Sequence, residues 1–166
     1  MTMEPPAAMM RHHLNPCMLI ARRGELEVTT ILGSCVSVCL WDSRLASGGM
    51  NHYMLPLWNG EGLPTPKYGN VAIEKLIERM LQLGSRKENL VAKCFGGAAM
   101  IKGATGLMQI GERNIELAQS LLALHRIPTV AHELGGFQGR KVIFNTRSGG
   151  VKVSRFASQS APVKHD

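Results

Sequence analysis

The stretch from Thr29 to Pro56 constrains this chain more than any other. It reads Thr-Thr-Ile-Leu-Gly-Ser-Cys-Val-Ser-Val-Cys-Leu-Trp-Asp, then a short polar link, then Gly-Gly-Met-Asn-His-Tyr-Met-Leu-Pro. Val36 to Trp41 suits a half-buried strand, Asp42 to Ser47 supplies turn chemistry, and Met50 to Leu55 reads as a returning strand. Side chains alternate faces along a strand. An antiparallel hairpin turning near Ser43 and Arg44 sets Cys35 opposite His52, and a register moved by two residues leaves them diagonal on one face. A thiol beside an imidazole is the minimum kit for a cysteine nucleophile, because the base generates the reactive thiolate. Gly33-Ser34, just ahead of the thiol, are small enough for backbone N–H groups to approach a carbonyl.

By itself the pair has a plainer reading. Cysteine is among the most buried residue types and usually behaves as a small hydrophobe. A lone cysteine and histidine, without further motifs, favour an inert core residue. On a strand Cys35 and Cys39 stand about 13 Å apart, too far for one metal ion or one disulfide. The metal reading falls with the strand assignment.

At 166 residues with 45% hydrophobic content, the chain fits one domain with a substantial core. No stretch approaches the roughly 20 apolar residues of a membrane span, and no secretory signal pattern opens the chain. Four cysteines without an export signal point to free thiols in a reducing cytoplasm. The net charge of +7 invites nucleic acid, yet aromatic residues are only 5% and the basic residues are scattered, so a solvated basic surface fits better.

Further strands are expected over Cys17–Ala21, Glu27–Thr30, Leu90–Phe95, Thr129–Glu133, Lys141–Asn145 and Val151–Arg155, the last two joined by a Gly149-Gly150 turn. Asn70 caps an expected helix over Val71–Leu83 that Gly84 stops, and a second helix is expected from about Glu112 to His125. Hairpins mixed with strand–helix–strand units predict a single α/β domain with a mixed β-sheet and helices on its outer faces. Residues 1–15 read as a flexible arm, 16–155 as the domain and 156–166 as a tail. The glycines at 96, 97, 103, 106 and 111 match no phosphate-binding pattern, and His132-Glu133 lacks the second histidine of a zinc protease. His12-His13 read as a solvated pair, and His125 sits at a helix end, where a cation is mildly favourable, so it needs no catalytic role.

The hairpin, together with Phe95-Gly96-Gly97-Ala98-Ala99-Met100, Ile110-Gly111-Glu112-Arg113-Asn114, and Glu133-Leu134-Gly135-Gly136 through Gly139-Arg140, resembles the chemoreceptor glutamine deamidase family CheD. The likeness covers about Pro16 to Val153, and several motifs in order reverse the reading of Cys35. The resemblance implies a single-domain layered α/β sandwich related to cytotoxic-necrotizing-factor-type deamidases. It also implies a cytoplasmic enzyme that converts glutamine side chains of methyl-accepting chemotaxis receptors to glutamate, releasing ammonia. Its implied catalytic residues are Cys35 as nucleophile, His52 as base, and Thr29, six positions before the cysteine, as the group orienting the imidazole. No cofactor and no metal are called for, and neither nucleic acid nor membrane insertion. A CheC-type phosphatase is an implied further partner. A non-enzymatic adaptor for such a phosphatase, or a cysteine amidase for small molecules, are the rival readings. Receptor docking is expected over Gly96–Lys102, with Met100 and Ile101 exposed, and over the Leu57–Tyr68 loop.

Overall fold

The computed structural model describes residues 8–99 and 105–157. In chain order the elements are β1 (Arg11–His13), β2 (Leu19–Arg23), β3 (Glu27–Leu32), β4 (Val36–Asp42), β5 (Ser47–Asn51), α1 (Gly69–Gln82), β6 (Val91–Gly96), α2 (Thr105–Leu124), β7 (Thr129–Leu134), β8 (Gly139–Asn145) and β9 (Val151–Phe156). The strands form two sheets rather than the single mixed sheet expected. One is four-stranded in the order β1-β3-β8-β9, the other five-stranded in the order β2-β5-β4-β6-β7. Each contains one parallel pair, β1 with β3 and β6 with β7, among antiparallel neighbours.

Burial patterns show how the layers stack. In β3, Val28, Thr30 and Leu32 are fully buried while Ile31 between them is exposed, the period of a strand with one wet face. In β4 every residue from Val36 to Leu40 is buried, because this strand is covered on both sides. Its even-numbered side chains Val36, Val38 and Leu40 join a core with Ile73, Leu76 and Met80 of α1 and Ala118 and Leu122 of α2. Cys35, Cys39 and Trp41 face the opposite way, toward Val28, Leu32, Val142 and Phe144 of the other sheet. The order of layers is helices, five-stranded sheet, four-stranded sheet. Both helices therefore lie on one outer face, and the expectation of helices on both is corrected. Gly49 makes the helix approach possible, since a Cβ there would meet Leu76 Cδ1 at 2.7 Å.

Several boundaries differ from expectation. The arm assigned to residues 1–15 is part of the fold from Arg11 onward: β1 runs beside β3, and Leu14 is buried in the core between the sheets. Asn70 does not cap α1; Tyr68 holds the cap position, and Asn70 Oδ1 instead accepts Trp58 N–H at 3.0 Å, pinning the loop before the helix. Gly84 does end the helix, at φ 110°. The second helix starts at Thr105, well ahead of the expected Glu112. Phe156, placed in the tail, ends β9. Residues 1–7, 158–166 and the docking residues Met100, Ile101 and Lys102 lie outside the described residues. Among the described residues no helix is long and apolar enough to cross a membrane.

Candidate active site

The β4–β5 hairpin carries both halves of the expected pair. Its register sets Cys39 against Met50 and Asp42 against Ser47, and continues to a bridge between Val36 and Tyr53. Cys35 thus stands across from Met54, and His52 across from Ser37. This is the register moved by two residues, the diagonal arrangement, with both side chains on the face between the sheets.

His52 sits where the ladder is interrupted. Val38 N–H donates to Asn51 Oδ1 at 2.8 Å in place of a main-chain partner. The main chain of His52 turns to its other neighbour, its N–H donating to Met18 O at 3.1 Å and its carbonyl accepting Cys17 N–H at 2.8 Å. The ring then reaches across to the four-stranded sheet, where His52 Nδ1 lies 2.7 Å from Thr30 Oγ1. That hydroxyl is also 2.7 Å from Leu14 O. A carbonyl can only accept, so the single hydroxyl proton goes to Leu14 and Thr30 must accept from Nδ1–H. The imidazole is therefore held as the tautomer protonated at Nδ1, with the Nε2 lone pair free to act as a base.

Thr30, not Thr29, occupies this place. The alternation that buries Val28, Thr30 and Leu32 turns Thr29 to the outer face of the sheet with Glu27 and Ile31, so the expected assignment of Thr29 to the imidazole is corrected. A spacing counted from the cysteine passes through the loop at Gly33-Ser34, and one residue of difference there reverses the face.

Burial sets the charge state. His52 is 2% exposed, and desolvation, helped by the nearby His13, lowers its pKa to about 4. Desolvation, with Cys17 adding, pushes the Cys35 thiol up to about 11. At neutral pH, therefore, Cys35 is a thiol and His52 an uncharged imidazole. Among the described residues His52 Nε2 has no hydrogen-bond partner and Cys35 Sγ has none outside its own residue, which leaves both atoms available to an incoming group.

The loop ahead of Val36 is anchored through its carbonyls. Gly33 O accepts Ala98 N–H at 2.9 Å, and Cys35 O accepts Gly97 N–H at 2.9 Å. Ser34 O accepts from Asn114 Nδ2 at 3.0 Å. Gly96, at φ 107°, is indispensable to this turn, because a Cβ there would stand 2.2 Å from Cys35 O. Arg140, 5% exposed, holds the same corner by donating from Nη1 to Gly96 O at 3.2 Å and from Nη2 to Gly135 O at 2.7 Å. Its Nε donates to Glu133 at 2.8 Å, and Glu133 also pairs with Arg155. Residue-level reading weighed Thr30 beside Thr29 but set it aside because alternation would turn it to the opposite face, and it missed the roles of Asn114 and Arg140; the glycine pairs and the Ile110–Asn114 and Glu133–Arg140 stretches were the available signals. His125 lies outside the site, 2.6 Å from Glu74 Oε1.

Fold and site define an α/β/β layered protein with a thiol and a tautomer-fixed imidazole on the same face, between its two sheets. A family model described as CheD chemotactic sensory transduction matches residues 54–155. The chain belongs to the CheD family. It is 58% identical over 136 residues, 82% of this chain and 84% of the relative, to a protein of Trichlorobacter lovleyi named "probable chemoreceptor glutamine deamidase CheD". A protein of Sulfurimonas denitrificans with the same name is 51% identical over 127 residues, 76% of this chain and 81% of that one. A solved structure of Neisseria meningitidis protein NMB0706 overlaps 77% of this chain and 64% of its own, with TM-score 0.47 and 8% identity. The family model begins just after His52, whereas the 136-residue match to the Trichlorobacter lovleyi protein is long enough to include both Cys35 and His52.

Proposed function

We propose that this chain is a cytoplasmic protein-glutamine deamidase that acts on chemoreceptors, with Cys35 as nucleophile, His52 as base and Thr30 as the group orienting the imidazole. The observation that carries the reading is the Leu14–Thr30–His52 relay of hydrogen bonds, which leaves Nε2 basic on the face shared with Cys35. A buried imidazole with one nitrogen fixed by a hydroxyl that is itself fixed is an arrangement for moving protons. The names of the relatives supply the substrate class.

In the reaction, Nε2 takes the Cys35 proton as Sγ attacks the glutamine carboxamide carbon, giving a tetrahedral oxyanion. Nε2 returns that proton to the departing nitrogen, ammonia leaves, and a thioester remains. Water, deprotonated by Nε2, then hydrolyses the thioester to glutamate and regenerates the thiol. The N–H groups of Ser34 and Cys35 are the candidate oxyanion donors. A threonine is neutral and cannot stabilise imidazolium as a carboxylate does, so its share is orientation.

Incubation of a receptor cytoplasmic fragment with the protein should raise the fragment's intact mass by about 1 Da per converted amide, as acyl transfer to water requires. Cys35→Ala should abolish the gain while the fold is retained, and Cys39→Ala should keep most of it. Conversion by Cys35→Ala at the wild-type rate would refute the assignment.

A further inference from the structure

Asn114 lies inside α2, fully buried, and its side chain touches both segments that carry the reacting groups. Nδ2 donates to Ser34 O at 3.0 Å and to Met54 O at 3.0 Å. Ser34 immediately precedes the thiol, and Met54 stands across from it in the hairpin register. The last main-chain bonds of that ladder are the two between Val36 and Tyr53, at 3.1 and 3.0 Å. Beyond them the strands are bridged by the amide of Asn114 alone among the described residues. Its main-chain carbonyl is in turn fixed by Tyr53 Oη at 2.5 Å.

The orientation of the amide is settled chemically. Flipping it would aim Oδ1 at two carbonyl oxygens, so both N–H bonds must face them. Oδ1 is then buried without a partner among the described residues. An apolar residue would avoid that orphaned acceptor, but it could not serve two carbonyls.

A trans peptide is planar, with its N–H directed away from its C=O. Holding Ser34 O therefore fixes the direction of Cys35 N–H, and the bond from Ala98 to Gly33 O does the same for Ser34 N–H. Among the described residues neither N–H has an acceptor in another residue; Cys35 N–H meets only its own thiol. We propose that Asn114 is a positioning residue for the reaction: its amide locks the Ser34–Cys35 peptide so that Cys35 N–H faces the developing oxyanion. This rests on the reading of Cys35 as the nucleophile of an amide hydrolase.

The test compares two reactions of the same thiol in the full-length protein. Deamidation of a receptor fragment passes through an oxyanion, whereas alkylation by iodoacetamide does not. Asn114→Asp is isosteric and, when ionised, cannot donate. It should lower kcat about 100-fold, the scale of losing one oxyanion donor, with KM and the alkylation rate of Cys35 changed less than about twofold. If that variant fails to fold, Asn114→Ser, which keeps one donor hydrogen, should show the same split with a kcat loss of about tenfold. Tyr53→Phe loosens α2 without touching the amide and serves as the structural control. The proposal falls if a folded Asn114 variant matches wild-type kcat, if alkylation falls in step with deamidation, or if Tyr53→Phe lowers kcat equally. Absence of turnover in the wild type would instead sink the deamidase reading, and this one with it.

Discussion

Thr30 accepts from the imidazole and donates to a carbonyl, so removing its hydroxyl leaves two buried partners unpaired at once. Thr30→Val should lower kcat about 10- to 100-fold by releasing the tautomer, while Thr30→Ser retains most activity and Thr29→Ala on the outer face changes little. Equal losses at Thr29 and Thr30, read by ammonia release, would contradict the strand parity described above. The buried imidazole also predicts a pH dependence. Its folded pKa of about 4 lies below the ordinary 6.5, so between those values the unfolded chain binds a proton that the folded chain does not. The His52 contribution to stability is complete above pH 6.5 and is lost as pH falls toward 4, and His52→Gln should flatten that part of a urea-midpoint profile. The acid limb of kcat/KM should fall near pH 4 rather than 6.5. Cys35, held as a thiol, should alkylate slowly at neutral pH and accelerate toward pH 11.

Elements were legible where one periodicity ruled. Ile73, Leu76, Ile77, Met80 and Leu81 mark α1 at helical spacing; the first four are buried against the sheet, while Leu81 is exposed. The start of α2 was hidden because Gly106 and Gly111 lower helix propensity in its first half. Packing overrides that cost at Gly111, where a Cβ would meet Gly97 O at 2.6 Å and Ala98 O at 2.9 Å, so only glycine lets the helix backbone reach the turn that anchors Cys35. β1 was hidden for another reason: Arg-His-His carries no apolar alternation, and it is a strand because β3 offers it an edge. The Gly96-Gly97 turn joins these elements to the site. Gly96→Ala, strained at positive φ and driven onto Cys35 O, should cost about 2–4 kcal/mol in urea unfolding. It should also lower activity per folded molecule; a neutral result would mean the turn does not set the cysteine loop.

Across the whole molecule, Arg140 ties β8 of one sheet to the corner formed by Gly96 and Gly135 on the other. It is 5% exposed and serves two carbonyls and a carboxylate, so Arg140→Met should destabilise by about 3 kcal/mol. Arg155 meets the same Glu133 from solvent, so Arg155→Met should destabilise much less than Arg140→Met. Arg155 and Arg140 hold the Glu133 carboxyl down to about 2, below its ordinary 4.5, so that contribution is present above pH 4.5 and fades as pH falls toward 2. Loss of the Arg140 and Arg155 contrast in thermal melts would place the staple elsewhere. Local pattern was enough to establish every strand but β1, the existence of both helices, and the diagonal sharing of one face by Cys35 and His52, because period and hairpin register are properties of neighbours along the chain. It could not say that β2 and β3, consecutive in sequence, belong to different sheets, since alternation marks a buried face without naming what buries it. Nor could it say which threonine meets the imidazole, or that an asparagine and an arginine from distant segments hold the cysteine loop. Those contacts span 22, 80 and 44 residues along the chain, and they exist only once two sheets and a helix have closed on the same corner.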